Sequence, residues 1–181
     1  VYIGNNAGNL SNASSVVFIG QNAGQFSTAF LNVAIGANAG NSLTGGYDNV
    51  FVGPSAGTSV VNGHGNVLLG LSAGVNNSDG VRNIAIGRFA EFSAPNLTNA
   101  IVIGASATAT GSNQAVIGAN ITGLGINTNA PTRMLDVNGG ARIRNLNVSG
   151  SVITVDGFGN LGMGSISPSI NYFEPYLNNR I

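Results

Sequence analysis

Three apolar residues followed by a glycine recur through the first two thirds of the chain, and this repeat limits the possible folds more than any other feature. The phrase ends at Gly4, Gly20, Gly36, Gly53, Gly70, Gly87, Gly104 and Gly118, so neighbouring copies lie 16 or 17 residues apart, and 14 at the last step. A well-preserved copy reads Asn32-Val33-Ala34-Ile35-Gly36-Ala37-Asn38-Ala39-Gly40. A fixed period this short specifies one coil of a solenoid per copy, each coil relying on its neighbours to cover its apolar face. The eight glycines are the structural corners of that repeat.

β-branched and aliphatic residues ahead of a glycine read as a short strand, with the glycine as the corner where it ends. The first and third positions share one side of the strand and the middle position takes the other. The middle position is Tyr2, Phe18, Ala34, Phe51, Leu68, Ala85, Val102 and Val116, so the strand is apolar on both faces. Both faces therefore need cover. One fills the thin interior of the coil. For the other, an identical strand from a second copy is the simplest cover, and Tyr2, Phe18, Phe51, Leu68, Val102 and Val116 are the expected oligomer face. A satellite layer or a different partner would also serve.

The remainder of each copy is more variable, with Leu10, Phe26, Leu43, Val60, Val61, Val75 and Phe92 set among Asn, Ser, Thr and Gly. It reads as a second short strand with a wet outer side. The expectation is all-β: a parallel β-roll or β-solenoid of eight 14–17-residue rungs over residues 1–122, intertwined in a homo-oligomer. At about 4.8 Å per rung the rod is roughly 35–40 Å long. Asparagines recur after the glycines (Asn6, Asn22, Asn38, Asn120) and before the strands (Asn32, Asn49, Asn66, Asn83). They are suited to amide ladders and to left-handed corners.

Charged residues are 7% of the chain, far below the roughly 25% of ordinary globular domains, and the net charge is zero. Without basic clusters, a nucleic acid or an anionic membrane is not an expected partner. The 43% hydrophobic content, placed at regular intervals, argues against disorder. No apolar run approaches the ~20 residues of a membrane span. With no cysteine, there are no disulfides and no Cys-ligated metal. Val1 opens in the middle of a repeat, as expected of a piece of a longer chain.

Past residue 122 the pattern changes. Alternation in Ala141-Arg142-Ile143-Arg144 and Val152-Ile153-Thr154-Val155, with turn signals at Asn138-Gly139-Gly140 and Asp156-Gly157, reads as a small β-rich fibre module over 123–166. Residues 167–181, with Tyr172, Phe173 and Tyr176, read as an extended C-terminal segment that packs its aromatics on a neighbour.

The array resembles the head repeats of trimeric autotransporter adhesins, whose rungs read close to Asn-Ser-Val-Ala-Ile-Gly; Asn32 to Gly36 and Asn83 to Gly87 match that phrase. The resemblance implies a left-handed parallel β-roll and a homo-oligomer, a trimer first of all. The rungs here are mostly longer than that family's, so the turns differ. Leu124 to Pro131 and Leu135 to Gly139, followed by Ala-Arg-Ile-Arg, are similar to segments of phage tail fibres and of large secreted surface proteins of the Bacteroidota. That implies an extracellular, cell-surface or virion-tail location.

Several motifs match in letters only. Gly53-Pro54-Ser55-Ala56-Gly57 and Gly70-Leu71-Ser72-Ala73-Gly74 spell a nucleophile elbow, but sister rungs put Asn in the serine slot and no helix is expected to follow. Gly157 to Gly162 spells a dinucleotide fingerprint without the helix it requires. Gly45-Gly46-Tyr47-Asp48 is a single echo of a calcium-binding roll. His64, the one histidine, reads as an exposed turn residue. No catalytic residue, cofactor or metal is expected.

The expected function is structural and adhesive: a segment of a secreted homo-oligomeric fibre or surface appendage that attaches to another cell or surface, with an unknown surface or glycan receptor. The alternative is a phage-type fibre or spike that processes polysaccharide, with carboxylates such as Asp48, Asp79 and Glu91 meeting at subunit seams. An ice- or surface-binding solenoid ranks last, because threonines do not recur in register.

Overall fold

A computed structural model describes residues 1–118 and 121–139 and the strands 151–155 and 161–165. The chain divides into two compact units, Val1–Leu124 with Pro131–Leu135, and Gly125–Ala130 with Asp136–Ile181. Among the described residues every element is a strand.

The first unit is a parallel β-solenoid. Its strands are β1 (Tyr2–Ile3), β2 (Val17–Ile19), β3 (Val33–Ile35), β4 (Val50–Val52), β5 (Val67–Leu69), β6 (Ile84–Ile86), β7 (Glu91–Phe92), β8 (Ile101–Ile103), β9 (Thr108–Ala109) and β10 (Ala115–Ile117). The apolar phrases form one eight-stranded sheet in the order β1-β2-β3-β4-β5-β6-β8-β10. Its register is set by the repeat: Val50 pairs with Val67 and Val67 with Ile84, parallel and without slippage. The expected second strand is shorter than anticipated. It exists as the parallel pair β7–β9 and as single bridges from His64 to Val81 and from Val81 to Thr98. Elsewhere the return is a set of turns whose backbone bonds run from rung to rung, such as Gly57 N–H to Ala73 C=O at 3.0 Å.

The strand-end glycines are required by space as well as conformation. Gly53 has φ +130, and a Cβ there would stand 2.5 Å from the carbonyl oxygen of Gly70 one rung on. The same close approach repeats along the column, so these glycines let successive corners nest. Four residues later the backbone turns left-handed: Gly57 has φ +57 and presses its Cα face against the Phe51 ring. Non-glycine residues also occupy left-handed corners, among them Asn38, Asp48, Ser55 and Arg82. A short polar side chain lowers the cost of that conformation, which explains the Asn and Ser content of the turns.

The interior runs along the middle strand column. Phe18, Phe51, Leu68 and Val102, four of the residues expected to face a partner, are fully buried inside their own coil. Val116 is half-buried, and Tyr2, in the first rung, is 47% exposed. The expected alternation is present, but inside and outside are reversed: the first and third positions face outward. The reason is volume. Interior rungs must interlock, so Ala34 and Ala85 alternate with Phe18, Phe51 and Leu68. The return supplies the buried Leu43, Val60 and Phe92. Each such side chain contributes about 1.5–3 kcal/mol by leaving water.

Asn32, Asn49, Asn66 and Asn83, in line with the middle column, are also fully buried. Asn49 and Asn66 each donate a side-chain N–H to the preceding Asn side-chain oxygen at 3.0 Å. Each of the four also donates to a carbonyl of the return, for example Asn66 to Gly80 at 2.8 Å. The expected ladder is therefore internal, and it ties the strand side of each coil to its return. Asn83 departs from it by donating to the Asn77 side-chain oxygen at 2.9 Å. On the surface, Asn6 donates to Asn22 and Asn22 to Asn38 at 3.3 and 3.1 Å. Asn120 lies outside the described residues.

β11 (Leu124–Ile126) and β12 (Leu135–Val137) form a two-stranded sheet. β13 (Ser151–Val155) and β14 (Leu161–Ser165) pair antiparallel, with Ile153 opposite Met163. The alternation at 141–144, the Asp156-Gly157 turn signal and the segment 167–181 lie outside the described residues. No helix among the described residues is long and apolar enough to cross a membrane.

Candidate interaction face

Because the middle residue of each strand points inward, the first and third residues form two outward columns along the eight-stranded sheet. In β2 to β5 they are all half-buried Val, Ile or Leu. Exposure is higher towards both ends of the array, 57% at Ile3 and 39%, 39% and 47% at Ile86, Ile103 and Ile117. No charged or polar residue interrupts either column from β2 to β8. Natural sheets usually alternate apolar and polar residues when one face is wet, and large continuous apolar patches mark interaction sites.

Two residues before each strand, the backbone takes a left-handed corner, with φ 56 at Asp48, 68 at Gly65 and 55 at Arg82. Asp48, Gly65 and Arg82 thus form a column along one edge of the face, on the rungs of β4, β5 and β6. Asp48 and Arg82 are exposed, and neither makes an ion pair among the described residues. The Arg82 stem lies over Gly65, where its Cγ would be 3.2 Å from an added Cβ. Along the opposite edge, two residues after each strand, stand the exposed residues Pro54, Leu71 and Arg88. The Arg88 guanidinium sits 4.5 Å from the ring centroid of Phe89, itself left-handed at φ 57.

Next to the Asp48 edge runs an aromatic column. Phe30 stacks on Tyr47 with centroids 5.6 Å apart, and Tyr47 on His64 at 4.7 Å. His64, expected as an exposed turn residue, instead forms a parallel bridge to Val81 and is half-buried and stacked on Tyr47.

The carboxylates proposed for sugar cleavage occupy three different columns of the coil. Asp79 accepts from Asn62 at 3.0 Å and from the Ser78 hydroxyl at 3.2 Å. Glu91 opens β7, where one oxygen accepts the backbone N–H groups of Phe92 at 2.8 Å and Asn76 at 3.1 Å. Burial raises its pKa above the ordinary 4.5, and those backbone bonds oppose the rise. Ser55 and Ser72 are left-handed corner residues in the column that holds Asn6, Asn22 and Asn38. Of the dinucleotide-like stretch, Gly157 to Asn160 lie outside the described residues and Leu161-Gly162 open β14. No group of three potential metal ligands occurs among the described residues.

Comparisons with protein-family models, with curated proteins and with solved structures find no match.

Proposed function

We propose that this chain is a structural and adhesive segment of an extracellular homo-oligomeric fibre or surface appendage, in which the outer face of the eight-stranded sheet is covered by identical copies. One observation carries the reading: two uninterrupted apolar columns lie outside a coil that has already filled its own interior. A sheet of this kind is costly to expose and prone to pair with like surfaces. An identical chain repeats the same columns at the same rung spacing, so it offers a matched cover over the whole length. The work of such a segment lies in shape and valency. Many weak contacts repeated along one rod raise the effective concentration of the next.

Attachment is tested by coupling the 181-residue chain to beads and scoring bead clustering and retention on surfaces that carry the same chain. Clustering is expected, and it should disappear when the outward residues Val67 and Ile84 are both changed to Asp. Clustering by that variant as strong as by the native chain would remove the outer face from the proposal.

A further inference from the structure

We infer that the outer face receives a second copy whose rungs run in the opposite direction, about a twofold axis along β5, with Asp48 of each copy facing Arg82 of the other. The inference rests on the fibre reading above and goes beyond it by fixing the partner's orientation.

The edge charges carry the argument. On the array the face-edge columns hold three charges: Asp48 beside β4, Arg82 beside β6 on the same edge, and Arg88 beside β6 on the opposite edge. With their strands aligned, two sheets can meet face to face in two symmetric ways. If the rungs run the same way, each edge meets the partner's opposite edge at equal height. Arg82 then meets Arg88 on the rung of β6, twice in a dimer and once per seam in a ring, with no acidic residue opposite either. If the rungs run opposite ways about β5, each edge meets the same edge of the partner, and rung β4 meets rung β6. Asp48 then lies against Arg82 twice. Gly65, on the axis between them, carries no side chain to obstruct the crossing. Complementary rim charges set register and orientation, and like charges brought together exclude the alternative.

The apolar columns agree. About β5 the partner strands are β4 with β6, β3 with β8 and β2 with β10, so seven of the eight strands in the main sheet are used and only β1 overhangs. In the first column Val50 then faces Ile84 and Val33 faces Ile101, and in the third Val52 faces Ile86 and Ile35 faces Ile103. Seven rungs at ~4.8 Å, each about six residues wide at ~3.3 Å, give a footprint of roughly 650 Å². That approaches the ~800 Å² per partner of a standard stable interface. Oppositely directed rods enter the contact from opposite sides, which is the polarity of attachment between two surfaces that display the same chain.

Charge reversal tests the orientation. Arg82→Asp and Asp48→Arg exchange residue types already present in this left-handed column, so both variants keep the fold. In analytical ultracentrifugation of the whole chain, each single reversal is expected to weaken the dimer about 10- to 100-fold, and the double reversal to restore it to within about threefold. If oligomers persist and Arg82→Asp tightens them, or the double variant stays weak, the opposed orientation is overturned while self-association through the face survives. If the native chain is a monomer at every concentration, both the orientation and the fibre reading fail.

Discussion

The side-chain oxygen of Asn49 accepts two hydrogen bonds from Asn66, one from its backbone N–H and one from its side-chain amide, each 3.0 Å long. The Asn66 oxygen in turn accepts the Asn83 backbone N–H at 2.9 Å. This relay satisfies corner groups that no regular ladder reaches, inside the coil where water does not compete.

Asn66→Ala leaves the buried Asn83 N–H without its acceptor and removes a bond to Gly80. Urea unfolding should show a loss of about 2–4 kcal/mol. Asn22→Ala, on the surface ladder, should cost about 1 kcal/mol, mostly from its left-handed φ. Equal losses at the two sites would mean the internal relay is not what joins the rungs.

Gly53→Ala places a methyl group against the Gly70 carbonyl at a φ that L-residues avoid. Strain and overlap together predict a loss of about 3–5 kcal/mol. Because a solenoid coil leans only on its neighbours, hydrogen exchange should accelerate first in the rungs on either side of the substitution. A change below about 1 kcal/mol would contradict the nested corner.

Phe51→Ala and Val50→Thr separate the inside of the strand from the outside. The first opens a cavity under Ala34 and should cost about 3–5 kcal/mol at any protein concentration. The second should cost under about 1 kcal/mol in a dilute monomer and act mainly on association. The reverse order would restore the orientation expected from the sequence.

That orientation was the main feature the sequence left undetermined. An alternation of period two defines two faces but does not say which is inside, and Val33-Ala34-Ile35 satisfies either. The deciding signals were the varied sizes at Phe18, Ala34, Phe51, Leu68 and Ala85, which suit an interlocking interior, against the Val, Ile or Leu at the flanking positions from β2 to β8. Asn32, two residues before Ala34, shares its side of the strand, so an internal amide ladder also places Ala34 inside. The solenoid, its register and its glycine corners were legible because each follows from local residue chemistry repeated at a fixed period. The edge charges were not, since Asp48 and Arg82 come together as one column only when coils of 17 residues are stacked. The aromatic stack of Phe30, Tyr47 and His64 was hidden for the same reason.

Glu91 makes stability depend on pH. Its folded-state pKa is raised by burial, so the folded chain binds a proton more readily than the unfolded chain. Stability is therefore fully present below the ordinary 4.5 and declines as pH rises through the raised value. Glu91→Gln keeps an oxygen for the Phe92 and Asn76 N–H groups and removes the charge. The melting temperature of this variant at neutral pH should equal or exceed that of the native chain, with a flatter profile across that window. A clear drop at neutral pH, with the slope unchanged, would show that ionised Glu91 stabilises the coil.

The most direct measurement is the absolute mass of the whole chain in solution by multi-angle light scattering, over a wide range of concentrations. A covered outer face predicts a discrete multiple of 18.1 kDa, and twice that mass for the opposed pair. The Val67→Asp, Ile84→Asp variant should fall back to a folded species of 18.1 kDa. A native chain that stays at 18.1 kDa throughout would contradict the account, because its apolar columns would then be stable in water without a second copy.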